Sequence, residues 1–163
     1  MEQSPSKLNP ALVGGTVMGV LSTLPMISAG NCLCCMWVLL GGAVASYAYR
    51  RRLPPKTEMT LGEGALVGLL SGVFGALIGS LLGYLFAVLG FDMARSIVEN
   101  FLDRAEDVPG DIRDWMEGFI RSDGFNPMIV ALGLVVNLTI DCLFGTTGGV
   151  IGAVLFGKKK PSR

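Results

Sequence analysis

The chain has 163 residues, of which 51% are hydrophobic and 16% charged, well below the roughly 25% charge of soluble domains. Thirteen basic residues balance thirteen acidic ones and there is no histidine, which excludes a generalised nucleic-acid binder, a Ser-His-Asp triad and any His-ligated metal. Glycine fills 23 positions without a Gly-X-Y period, so neither collagen nor a disordered chain fits, and a small integral membrane protein remains.

A hydrocarbon layer about 30 Å thick takes roughly 20 helical residues to cross, and four stretches have that reach. After a tail over 1–10, the first span runs from Ala11 to near Ser28 and the second from near Cys32 to Tyr49. Only Ala29-Gly30-Asn31 lies between them, so residues 11–52 read as a tight transmembrane hairpin. Lys7 before an apolar run and Ala29-Gly30-Asn31-Cys32 after it resemble a lipoprotein signal. Asn31 is wrong before a lipidated Cys, however, and a partner span follows at once, so an uncleaved hairpin is expected.

Arg50-Arg51-Arg52 close the second span, and a cytoplasmic loop over 53–63 is expected to lead to the third span, 64–90. There Gly64, Gly68, Gly72, Gly75, Gly79 and Gly83 recur at steps of three and four, on one helical face. Such a stripe lets another backbone approach closely. It serves either a pore or oligomer interface or, the favoured reading, packing within a four-helix bundle. Gly148 and Gly149 belong to a similar stripe in the fourth span, 128–157, which a basic tail over 158–163 closes.

Residues 91–127 between these spans carry nine acids, four Arg and no Lys. Met93, Ile97, Val98, Phe101, Leu102 and Ala105 follow helical spacing, as do Ile112, Trp115, Met116, Phe119 and Ile120. Two amphipathic helices are expected, broken at Val108-Pro109-Gly110, with Asp111 capping the second. Their acidic faces read as solvated surface over the bundle or at its outer interface. The N-terminal tail, the loop from Arg50 to Glu63 and the C-terminal tail together carry nine Lys or Arg against three acids. Basic loops stay inside, so both termini are expected in the cytoplasm and residues 91–127 outside.

Placed on the fourth span, the second brings Cys35 onto Cys142, Gly41-Gly42 onto Gly148-Gly149 and Arg51-Arg52 onto Lys158-Lys159. Placed on the third, the first brings Ala11, Gly15, Gly19 and Ser22 onto Gly64, Gly68, Gly72 and Gly75. Shared small-residue chemistry accounts for the second match more readily than the first. Two duplicated hairpins are therefore expected, parallel and related by a pseudo-two-fold along the membrane normal, with the acidic segment inserted in the second copy.

Asn31, Cys32, Cys34 and Cys35 sit at the outer start of the second span. Asn137, Asp141 and Cys142 occupy the comparable level of the fourth, Asn137 and Asp141 one turn apart on one face. Asp141 is the sole acid inside any span, roughly 25 Å along the helix from its basic anchor and so in the outer half of the bilayer. A charge there costs on the order of 2.5–3.5 kcal/mol unless paired or hydrated. Water, Asn or Thr hydrogen bonds, or a bound cation are the available partners, since no span holds a Lys or Arg. The cysteines read as small apolar packing residues, with a soft-metal or redox pair as the sharper alternative.

Cys32 and Cys35 form a C-x-x-C at the outward start of a span in a four-span chain, and in this the sequence resembles the membrane disulfide-generating quinone oxidoreductases. That resemblance implies thiol-disulfide exchange at Cys32 and Cys35 with a quinone. The second, relaying Cys pair of that family has no counterpart in 91–127. The stretch Asn31-Cys32-Leu33-Cys34-Cys35-Met36-Trp37 and the Gly-rich third span are also similar to small four-span bacterial membrane proteins of uncharacterised function, which implies a bacterial inner membrane and no particular activity. The expectation is thus an all-α four-helix membrane bundle, surrounded by lipid and homo-oligomeric. It is more a channel, carrier or assembly subunit with a polar site at Asp141, Asn137 and Asn31 than an enzyme, and needs no cofactor. A holin-like lysis protein is a further alternative, and quinone or a soft metal enters only with the thiol alternative.

Overall fold

A computed structural model describes residues 5–23, 35–54, 57–89, 99–100, 102–104, 109–121 and 127–157. The described elements are helices: α1 (Leu8–Thr23), α2 (Met36–Arg50), α3 (Leu61–Val88), α4 (Gly110–Arg121) and α5 (Pro127–Phe156). Two of them, α3 and the stretch Val130–Phe156 of α5, are long and apolar enough to cross a membrane. The expected outer helix around 93–105 falls largely outside the described residues, though 99–100 and 102–104 are helical.

Helix ends follow local chemistry. Thr60 opens α3 with a capping box, its hydroxyl accepting from the Glu63 N–H at 3.2 Å while its own N–H donates to the Glu63 carboxylate at 2.8 Å. Helix α4 begins at Gly110, so Asp111 stands inside its first turn rather than at the cap. There its negative charge still meets the positive end of the helix dipole. Arg113 and Glu117 pair across one exposed turn of α4 at 3.3 Å.

Helices α1, α2, α3 and α5 pack together, α1 against α2 and α3, and α5 against α2 and α3, with a smaller contact between α2 and α3. Gly14 faces Gly41 and Ala45 of α2 in antiparallel register, and Gly68 faces Gly145 and Gly149 of α5 in the same way. By contrast α1 runs parallel to α3, Gly15 meeting Gly75 and Gly19 meeting Gly79. The arrangement is two hairpins side by side, α1 beside α3 and α2 beside α5. Like helices thus lie side by side and parallel, as a lateral translation would set them. The pseudo-two-fold expected from the sequence is overturned, because that rotation sets equivalent helices diagonally and keeps at least one equivalent pair apart.

Backbone lies on backbone throughout the interior. A Cβ on Gly64 would sit 2.6 Å from that of Ala153, and one on Gly149 would run into the carbonyl oxygen of Gly64. A smaller side-chain core closes the end where α2 and α5 finish, from Ala11, Ala45, Tyr49, Leu53, Met59, Val67 and Ala153. The large apolar residues lie outside, with Leu81, Leu143, Val88 and Leu155 each about two-thirds exposed.

Candidate functional site

The polar centre is on α5, and α3 sets its surroundings. Asp141 falls midway along α5 and is only 7% exposed. Gly72 makes that burial possible. Its missing side chain admits the backbone of Asp141 and Cys142, so a Cβ on Gly72 would stand 2.8 Å from the Cys142 Cα. One turn back on α5, the Asn137 amide donates to the Ser80 hydroxyl of α3 at 3.5 Å. Among the described residues no hydrogen-bond donor and no Lys or Arg pairs with the Asp141 carboxylate. Asn31, the third member expected, lies outside the described residues.

Cys32 and Cys34 also lie outside them. Cys35 immediately precedes α2 in the left-handed region, with φ 53° and ψ 41°, the one positive-φ residue other than Gly among those described. It forms no disulfide with Cys142. Among the described residues no three of Cys, Asp and Glu gather as a metal-binding group.

The third-helix glycines do not share one partner. Gly64, Gly68 and Gly72 lie against α5, Gly75 receives the Met18 side chain of α1, a Cβ on Gly79 would stand 3.7 Å from the Gly19 Cα, and Gly83 faces open space. Gly148 accepts the Leu39 backbone of α2, and Gly149 the backbone of α3 at Gly64 and Gly68.

Three polar features escaped the sequence reading. The fully buried Ser46 hydroxyl donates to the Gly149 carbonyl at 2.8 Å, tying α2 to α5. The Ser71 hydroxyl, also fully buried, has no hydrogen-bond partner among the described residues and faces Gly14. At the closed end the Tyr49 hydroxyl donates to Glu63 at 3.2 Å and the Lys7 ammonium stands 5.4 Å from the Tyr49 ring centroid. The Thr60-x-x-Glu63 pattern signalled part of that last cluster. Ser46 and Ser71, as small residues among glycines, gave no signal of their own.

The family model described as the MJ1491 transmembrane domain matches residues 8–162. No curated protein matches the chain, and no solved structure does.

Proposed function

The chain belongs to the MJ1491 transmembrane domain family, and from that premise we propose that it is a multi-pass, non-enzymatic membrane protein that passes a proton or small cation by way of Asp141. The observation that carries this reading is a carboxylate buried at the centre of an apolar helix with no cationic partner among the described residues. Burying such a group is costly, and a transported proton or cation is a partner that offsets the cost. Four spans, from α1, α2, α3 and α5, fit the inside-out distribution of small residues within and large apolar ones without. The basic ends after α2 and α5 then face the cytoplasm and 91–127 the opposite side.

The test is ion flux into vesicles holding the purified full-length chain. Flux that is lost in Asp141→Asn and kept in a variant with all four cysteines changed to Ala supports the reading. Wild-type vesicles as tight as empty ones sink it, as does an Asp141→Asn variant with full flux. Flux that depends on the cysteines instead would return the thiol alternative to first place.

A further inference from the structure

Near the end where they finish, α2 and α5 leave an open groove of about 300 Å³, lined by Leu40, Ala43, Val44, Tyr47 and Phe156 with no polar surface. Leu40 to Tyr47 is two turns of α2, so the slot is about 10 Å long. Tyr47 and Phe156 meet edge to face at the end nearer Arg51, with centroids 5.2 Å apart and planes at 66°. One turn beyond Tyr47, Arg51 lays its guanidinium 4.9 Å from the Tyr47 ring centroid. Among the described residues no carboxylate pairs with Arg51, and Arg50 and Arg52 flank it in the sequence.

We propose that this groove binds an anionic phospholipid of the leaflet at the basic ends of α2 and α5, one acyl chain along Leu40–Tyr47 and the phosphate on Arg51. The inference rests on the membrane reading above. An apolar slot at a lipid-facing surface is filled by hydrocarbon, and a narrow one suits a single chain rather than a helix. The planar fork of Arg51 matches two phosphate oxygens, and the Tyr47 ring holds that fork over the mouth before any ligand arrives. With Arg50 and Arg52 beside it in the chain, the positive charge at this end of α2 favours a net negative headgroup over a zwitterionic one.

Full-length protein in detergent is titrated with phosphatidylglycerol or phosphatidylcholine, and bound lipid is counted by native mass spectrometry. Phosphatidylglycerol is expected to be retained over phosphatidylcholine by about fivefold or more, a preference abolished in Arg51→Ala. Val44→Phe, which fills the slot, lowers retention as well, while Arg113→Ala on α4 changes nothing. Equal retention of the two lipids overturns the site, and so does a preference that survives both groove variants. An alkaline wash of membranes separates the two possible failures. Release of the wild-type chain by the wash means the membrane reading has failed, whereas a retained chain without lipid preference means that only the groove has.

Discussion

The side chains that decide this interior are mostly the absent ones. Val at Gly68 would drive a branched side chain into the Gly145 carbonyl and the Gly149 backbone, which cannot yield as a flexible side chain would. Gly68→Val is expected to cost about 1–3 kcal/mol or more, read as a lowered unfolding midpoint in detergent. Gly83→Ala, with open space around it, should leave that midpoint unchanged or raise it. The two buried serines should separate in the same assay. Ser46→Ala removes a hydrogen bond to Gly149 and is expected to destabilise by about 1 kcal/mol. Ser71→Ala removes a hydroxyl without a described partner and is expected to be neutral or stabilising. Equal losses at both positions would show that Ser71 has a partner after all. The spacing put Gly64 to Gly83 on one helix face, but it showed neither that Gly83 faces open space nor which helix each of the others meets. Gly64 to Gly79 look onto a seam between α5 and α1. The long, flexible Met18 side chain claims Gly75 for α1, and a pattern of small residues carries no trace of that choice.

At the scale of elements, the apolar runs of α3 and α5 were plain because their length outlasts any turn signal. The start of α3 was readable too, since Thr60 and Glu63 stand at capping-box spacing, yet an apolar count alone sets the span at Gly64. Thr60→Ala should cost about 1 kcal/mol of stability. Combined with Glu63→Ala it should cost less than the two separate losses together, because each partner's bond depends on the other. Strict additivity in that double-mutant cycle would argue against a reciprocal cap. The acidic segment was readable only in part. Its charge pattern marked an exposed helix at α4, whereas Asp111 lies one residue inside the first turn because Gly110 is already helical.

For the whole molecule, the basic loops predict orientation. Single cysteines placed at Lys7 and at Glu117 in a cysteine-free chain should differ in intact cells. Glu117→Cys is expected to react with an impermeant maleimide from outside, and Lys7→Cys only after permeabilisation. Labelling in the reverse order would invert the topology and place the Arg51 groove in the outer leaflet. Repeated spacing led to an expected duplication, but it carried no trace of how the two hairpins sit together, because a rotation and a translation leave the same imprint on one strand of text. Contacts between like helices distinguish them.

A translated pair has two unlike ends, and in principle a third hairpin could follow the second as the second follows the first. The exposed face of the second hairpin, however, differs from the buried face of the first. Gly14 packs on Gly41 as Gly68 packs on Gly145, a register one residue from the sequence alignment of α1 with α3 and three from that of α2 with α5, and it puts Leu69 and Val73 where the first hairpin has Gly15 and Gly19. It likewise puts Thr146 and Val150 where the first has Gly42 and Ser46. The surface that would receive another unit is thus studded with the bulk that its counterpart lacks, and Leu69 and Leu143 stand exposed upon it. A copy set against that face would meet branched and aliphatic side chains where the first hairpin offers glycine, so the close backbone seam between α1 and α3 would not recur there.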